Sequence, residues 1–427
     1  MKKNTEFKLR RDELLKRIGT NDIAIAFAAK EYIRSGTEYY PYRQNSDFYY
    51  LTGFVEPESI AVFIPGRKAG EFILFNRKRD EIKELWHGSC AGQEGACRNF
   101  GVDQAFPIEE ADVMLPQLLA DRECVYCNVG CDRDFDAKIN FLINQAKLGM
   151  SHKLIDIGTI LHEMRLKKNS HELGLMHKAA EITAAGFLRA MQKCRPGMYE
   201  FELEAELLYE FMRLGGRHVA FQSIVGGGAN ACILHYAKNT DKLIDGELVL
   251  MDAGVEYNYY CADVTRTFPV NGKFTSEQRA IYEAVLATQL EVINHIRPGI
   301  KLASLQLLAA RVITEHLVSL GLLKGRVDDL VAKQSFKLFF MHKIGHWLGL
   351  DVHDVGKYHD DERILEPGMV LTVEPGVYIM SNVSVDSKWR NIGIRIEDDI
   401  LVTENGCDVL TKMIPKTIAE IEMTMRL

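Results

Sequence analysis

Along the first third of the chain, apolar positions switch between a helical three-to-four spacing and short continuous runs. The spacing predicts a helix from Phe7 to about Ile18, then a strand around Ile23–Ala28 and a helix around Ala29–Ser35. Tyr42–Leu51 leads into strand material. Ser59–Pro65 and Glu71–Asn76 read as two strands joined by Gly66-Arg-Lys-Ala-Gly70, which is hairpin chemistry. Asp80–Trp86 and Ile108–Leu119 read as helices, Cys124–Asn128 as a strand and Asp134–Lys147 as a helix. Strands alternating with helices predict an α/β domain over residues 1–165.

The pattern then changes. Met164-Arg-Leu-Lys-Lys-Asn-Ser170 is a charged boundary that ends in helix-capping residues with Glu172 behind them. A long helix follows from about His171 to Lys193, stopped by Arg195-Pro196-Gly197, and a second from Glu200 to Leu214, stopped by Gly215-Gly216. The same grammar returns in a helix over Ser276–His295, Arg297-Pro298-Gly299, and a helix over Leu302–Leu320 ending at Gly321. Helix, helix, then strand hairpin therefore occurs twice, and predicts a duplicated α+β domain over residues 170–427 whose two hairpins face each other.

Those hairpins carry acids. Gly246-Glu-Leu-Val-Leu-Met-Asp252 is an apolar strand ending in a carboxylate, and Cys261-Ala-Asp263-Val-Thr-Arg-Thr-Phe268 is a second strand with another. Gly368-Met-Val-Leu-Thr-Val-Glu374 repeats the first, and Glu397, in Ile394-Arg-Ile-Glu397, takes the part of Asp263. An aspartate at a strand end is ordinarily a turn or cap residue. Carboxylates set in apolar strands are different, because burying them is costly unless they are paired or bound to a cation. Four in one site repel and titrate upward. Two divalent cations would cancel the four charges, hold a bridging hydroxide at neutral pH and polarise a carbonyl. The reaction class implied is metal-assisted hydrolysis of an amide. An oxygen-rich ligand set favours manganese, iron or cobalt over structural zinc.

A nitrogen ligand could come from His342, His346 or His353 in the run Met341–Gly356, or from His235 after Gly226-Gly-Gly228. His342 and His346 have the spacing of a zincin helix, but Lys343 stands where that motif needs its glutamate, and Gly345 and Gly349 oppose a helix. The triple glycine lacks the Lys and Ser/Thr of a phosphate loop and reads as a close-approach loop.

Composition removes other classes. The net charge is −7 and no basic block stands out, which argues against nucleic acid. The charged N-terminus has no apolar core of a signal peptide, and no run is long enough to span a membrane, so the cytoplasm is the expected compartment. The nine cysteines are scattered and read as reduced thiols. Cys124, Cys127 and Cys131 suggest a zinc knuckle, but no fourth ligand stands at the right spacing, and a strand-and-turn reading is preferred.

Five motifs, Leu250-Met-Asp-Ala-Gly254, Asp263-Val-Thr-Arg266, His346-Trp-Leu-Gly-Leu-Asp-Val-His353-Asp, Thr372-Val-Glu-Pro-Gly376 and Gly393-Ile-Arg-Ile-Glu397, together resemble the pita-bread metallopeptidases. That family includes methionine aminopeptidases, prolidases and Xaa-Pro aminopeptidases (aminopeptidase P). Tyr42-Arg-Gln-Asn-Ser-Asp-Phe-Tyr-Tyr-Leu-Thr-Gly53 is similar to the entry segment of the two-domain aminopeptidase P branch.

The resemblance implies a pita-bread catalytic domain, with the N-terminal domain serving oligomerisation and substrate access. It also implies two divalent ions, manganese first, with cobalt, iron or zinc as alternatives, held by Asp252, Asp263, His346, Glu374 and Glu397. Asp263 and Glu397 would bridge, Asp252 would serve one ion, and His346 and Glu374 the other. Glu374 would shuttle the proton, His235 and His353 would contact substrate and the oxyanion, and Arg395 and Tyr378 would orient Asp252. Trp86 and Asp47 would reach a neighbouring subunit's site in a homodimer or homotetramer. The implied substrates are peptides with proline second. A prolidase acting on Xaa-Pro dipeptides shares these ligands, while a metal-free binding module or creatinase-like hydrolase is disfavoured by them. Lys343 and Gly345 depart from the Gly and Ser common at those places in relatives, which bears on loop shape rather than on the ligands.

Overall fold

The computed structural model describes residues 2–130, 132–146, 153–356 and 362–426. Two compact units divide between Met164 and Arg165.

In the first unit, strands β1 (Ile23–Phe27), β4 (Ile60–Phe63), β5 (Phe72–Asn76), β6 (Gln104–Pro107), β7 (Cys124–Cys127) and β8 (Lys153–Asp156) form one sheet in the order β6-β5-β4-β1-β7-β8. β1, β4 and β5 are an antiparallel meander, and the outer pairings are parallel. All five residues of β1 are buried, as a central strand covered on both faces requires. Ile23, Ile25, Val62 and Ile73 pack with Leu115 and Leu119 of α5 (Ala111–Leu119) and Leu142 of α6 (Arg133–Ala146). The remaining helices are α1 (Lys2–Arg17), α2 (Ser46–Thr52), α3 (Glu81–His87) and α4 (Gly92–Phe100).

Local expectations differ in three places. Ala29–Ser35 is not a helix; Ile33–Ser35 is strand β2, paired with β3 (Glu38–Tyr39) across Gly36 at φ +58°. Glu31–Pro41 is exposed throughout, so no core supports a helix there. The Tyr42–Leu51 segment gives helix α2 rather than a strand, because Asn45 accepts the Phe48 N–H at 3.0 Å and Gly53 closes the last turn at φ +64°. The helix expected from Ile108 begins as a 3-10 turn, Ile108–Glu110, and becomes α5 at Ala111. Cys124 and Cys127 fall on opposite faces of β7, so the strand reading of that group holds. Cys131 and Lys147 lie outside the described residues.

Helix α7 (Gly158–Leu166) runs across the division of the chain. The second unit begins in earnest with α8 (Ser170–Lys193), whose start is a capping box between Asn169 and Glu172, and α9 (Glu200–Arg213) packs beside it. The second pair is α10 (Ser276–His295) and α11 (Leu302–Ser319), followed by the short α12 (Val327–Ala332), and α13 (Ile418–Thr424) closes the chain. Short β9 (His218–Val219), β12 (Val255–Tyr257) and β13 (Tyr260–Cys261) form a small sheet, and β10 (Ile224–Gly227), β11 (Leu248–Ala253) and β14 (Val264–Pro269) form another in the order β10-β11-β14. From the second half come β15 (Val370–Val373), β18 (Asp398–Val402) and β19 (Cys407–Val409) in one sheet, and the pair β16 (Gly376–Ile379) and β17 (Ile392–Arg395). One apolar core runs through both halves, with Phe187, Phe211, Phe268, Trp347, Ile394 and Ile400 all buried.

Candidate metal centre and active site

The acids stand where backbone pairing stops. The β11–β14 ladder ends at Ala253 opposite Val264, so Asp252 is the last inward residue of one strand and Asp263 lies just before the other. The β15–β18 ladder ends at Val373 opposite Asp398, which leaves Glu374 and Glu397 in the breaks before β16 and after β17. The hairpins are joined directly. The Glu397 N–H donates to the Thr265 carbonyl at 3.1 Å, the Thr267 hydroxyl to the Arg395 carbonyl at 3.1 Å, and the Asp263 N–H to Asp399 Oδ2 at 3.2 Å. The facing of the two acidic hairpins is thus built from main-chain, threonine and Asp399 bonds.

His346 reaches this junction from an irregular segment laid against β15. Its N–H donates to Thr372 Oγ1 at 3.1 Å, and its carbonyl accepts the Thr372 N–H at 2.9 Å. Gly345 makes the approach feasible, since a Cβ there would collide with the Thr372 carbonyl oxygen. Nδ1 of His346 lies 2.9 Å from the Trp347 carbonyl and so carries the proton. That leaves the Nε2 lone pair facing Asp263 Oδ2 at 3.3 Å and Glu374 Oε1 at 3.7 Å.

The electrostatics call for cations. Burial, then Asp252, Asp399 and Glu374, push Asp263 well above the usual carboxylate range. Burial, then Asp263 and Glu374, do the same to Glu397. Burial also raises Glu374, against the pull of His346 and Arg395. Oδ1 of Asp252 and Oδ1 of Asp263 are buried without a hydrogen-bond partner among the described residues. Ligand atoms of Asp263, His346 and Glu397 lie within 4.8 Å of one another. Orphaned carboxylate oxygens, an imidazole nitrogen aimed at them and uncompensated negative charge fit divalent metal ions.

Behind the acids runs an ordered polar chain. Arg395 donates to Asp252 Oδ2 at 2.6 Å, to Thr265 Oγ1 at 3.0 Å and to the Tyr378 hydroxyl at 2.8 Å. Burial opposes its charge, but Tyr378, Asp252 and Glu397 outweigh that and drive its pKa upward. The Tyr378 hydroxyl then donates to His342 Nε2 at 2.9 Å, while His342 Nδ1 donates to the Lys343 carbonyl at 2.7 Å. Burial, with Arg395 nearby, lowers the His342 pKa to about 4, so this ring stays neutral.

His235, Asp252, Asp263, His346, His353, Glu374, Arg395 and Glu397 all line one cavity of about 620 Å³, and Tyr378 sits behind Arg395. Phe221, Ile224, Leu234 and Val352 give the cavity apolar wall. Burial, then His346 and His235, lower the His353 pKa and favour its neutral form. Trp86 is exposed on α3, while the buried Asp47 carboxylate accepts from Asn128 Nδ2 at 2.9 Å within the first unit.

Sequence reasoning gave no role to two residues here, Thr265, whose hydroxyl donates to Glu397 Oε2 at 2.6 Å, and Asp399, while His342, one of the candidate nitrogen ligands, bonds the Tyr378 hydroxyl and the Lys343 carbonyl. Asp398-Asp399 after Glu397 was the one visible signal. In fact Asp398 turns away, to Arg266 at 2.7 Å and Lys416 at 2.7 Å, and only Asp399 faces the site.

Comparison with known proteins agrees with this geometry. Residues 174–404 match metallopeptidase family M24, and residues 7–126 match the aminopeptidase P N-terminal domain. The chain belongs to metallopeptidase family M24. It is 46% identical to the Xaa-Pro aminopeptidase of Escherichia coli, over 98% of this chain and 97% of that one. It is 33% identical to human Xaa-Pro aminopeptidase 3, over 98% and 85%. Among solved structures, the aminopeptidase PepP of Pseudomonas aeruginosa superposes with a TM-score of 0.97 at 49% identity, covering 99% of this chain and 98% of that one. An E. coli aminopeptidase P variant in complex with substrate superposes at 0.96 and 46% identity, covering 99% and 98%. The M24 assignment makes the second unit a pita-bread catalytic domain.

Proposed function

We propose that this chain is a metal-dependent aminopeptidase that removes the first residue of peptides whose second residue is proline. The observation that carries the proposal is the meeting of four strand-end acids with His346 Nε2 at the floor of a cavity that is wide and partly apolar. Full-length likeness to Xaa-Pro aminopeptidases supports the substrate class. Proline leaves a tertiary amide without an N–H, so the bond resists peptidases that need that donor.

Asp252, Asp263, His346, Glu374 and Glu397 would hold two divalent ions, with Asp263 and Glu397 shared between them. Manganese suits the oxygen-rich set, and a zinc-substituted E. coli aminopeptidase P in complex with product is a relative's precedent for exchange. When bound there, such ions would supply an activated water and a polarised carbonyl. Arg395 fixes Asp252 by a bond at 2.6 Å and is itself aligned by Tyr378. Glu374, with its raised pKa, is suited to take a proton at Oε1 or Oε2 and return it to the proline nitrogen as the bond breaks. His235 and His353 stand at the cavity wall as donors to substrate oxygen.

The reading extends to surroundings. None of the cysteines among the described residues is in a disulfide, which suits a reducing cytoplasm. Helix α3 exposes Ile82, Leu85 and Trp86, which suits burial in a homodimer or homotetramer. Assaying Xaa-Pro-Xaa peptides against Xaa-Pro dipeptides, with manganese added and withheld, tests the core claim. Release of Xaa from the longer peptides is expected. Cleavage of dipeptides alone would make the chain a prolidase and sink the proposal.

A further inference from the structure

Glu200 opens α9 and is 0% exposed. Its carboxylate has four partners, and none is a cation. Oε1 accepts the Gly227 N–H at 2.8 Å and Asn230 Nδ2 at 3.1 Å. Oε2 accepts the Tyr236 hydroxyl at 2.8 Å and the Asp241 N–H at 2.9 Å. The Glu200 N–H donates in turn to the Asp241 carbonyl at 2.9 Å. Burying a carboxylate against neutral donors alone is expensive, so removing even two of them would leave a charge poorly solvated.

All four donors belong to residues 227–241, which run from the last residue of β10 toward β11. One side chain on a neighbouring helix therefore ties the two ends of this segment and its middle. The middle tie is Tyr236, buried beside Ile224, Leu250 and Tyr378. The residue before it is His235, which is exposed at the cavity wall, so its ring is placed by the backbone from which it hangs. Nothing in the metal centre touches Glu200, and no step of the reaction uses it.

We infer that Glu200 is a positioning residue, whose buried carboxylate fixes the 227–241 segment and through it holds the His235 imidazole over the metal-site acids. The assignment rests on the role given to His235 above.

A double-mutant cycle tests it, with kcat, KM, bound metal and Tm measured on an Xaa-Pro-Xaa peptide. Glu200→Gln turns an NH2 group toward two of the four donors, and should lower kcat by ~10-fold or more with the metal content unchanged, the range typical of groups that orient a site from behind. Tyr236→Phe removes one bond of the four, keeps the packing, and should show a smaller loss of the same kind. In a His235→Ala background, each substitution should change kcat by less than about twofold, because its effect passes through His235. Full, additive losses in that background would overturn the inference, as would loss of metal in Glu200→Gln or unchanged kcat in both single variants. A His235→Ala enzyme as fast as wild type would instead remove the role of His235, and the positioning claim with it.

Discussion

Asp263 and Asp252 differ although both end a strand in the same hairpin. Asp252 is bound by Arg395, which leaves one oxygen for a cation, whereas Oδ1 of Asp263 is unengaged and Oδ2 faces His346. Asp263→Asn should abolish turnover, since a neutral amide cannot be shared between two ions. Activity near that of wild type in the purified variant would refute its bridging role. His353→Ala should lower kcat by ~10²-fold or more, the usual cost of an oxyanion donor, and unchanged kcat would return His353 to a packing role. The four acids of the cluster were legible because carboxylates in apolar strands are conspicuous, while His346 stood out from the other candidate histidines only through the resemblance. Thr265 was not, because a threonine in a strand looks like packing until a partner appears across the fold, and for His342, a candidate ligand by spacing, the sequence did not show the partner it has. Thr265 finds Glu397 in the other half of the unit, and His342 finds Tyr378.

Elements show the same division between local and distant causes. The long helices were readable almost to the residue, because Asn169, Thr275 and the Arg-Pro-Gly stops act on their own neighbours. The β2–β3 hairpin and α2 depart from the sequence expectation because Gly36 and the Asn45 cap decide the backbone there. The His346 segment depends on a long-range fact, the passage of β15 beneath it. Gly345→Ala drives a methyl group into the Thr372 carbonyl, so the segment must lift. Overpacking of this kind costs about 1–3 kcal/mol, and it moves His346, a proposed ligand. Lower Tm together with weaker metal uptake is expected; a variant that keeps full metal content would show that the segment has slack.

Across the whole molecule, two sets of buried acids have opposite pH behaviour. Burial alone would raise Asp354, but Lys168 and Arg165, the latter at 2.5 Å, outweigh it and hold its pKa below the ordinary value. Asp398 is likewise depressed, as Arg266 and Lys416 overcome its burial. Their stabilisation is present above the unfolded value of about 4 and is lost as pH falls through the folded values. Asp263 and Glu397 are raised, so without a cation their contribution is favourable only below the unfolded value and is lost as pH climbs through the folded one. Chelation should therefore lower Tm more at pH 8 than at pH 5, measured by thermal unfolding in matched buffers. An equal drop at both would argue that the acids are not the metal's ligands. Asp354→Asn should flatten the acid limb of the same curve.

The placement of the acids at ladder ends has a further consequence. The strand ladders of each half lie within that half, while the proposed ligands come from both: Asp252 and Asp263 from one, His346, Glu374 and Glu397 from the other. The exposed turn Lys324–Arg326 lies between them and carries no ligand. A chain cut there should behave as a logical AND gate, each piece blind to metal and activity returning only when both are mixed. Metal titration of the separate and combined pieces reads the gate directly, and would turn a peptidase into a reporter of whatever brings two fused partners together.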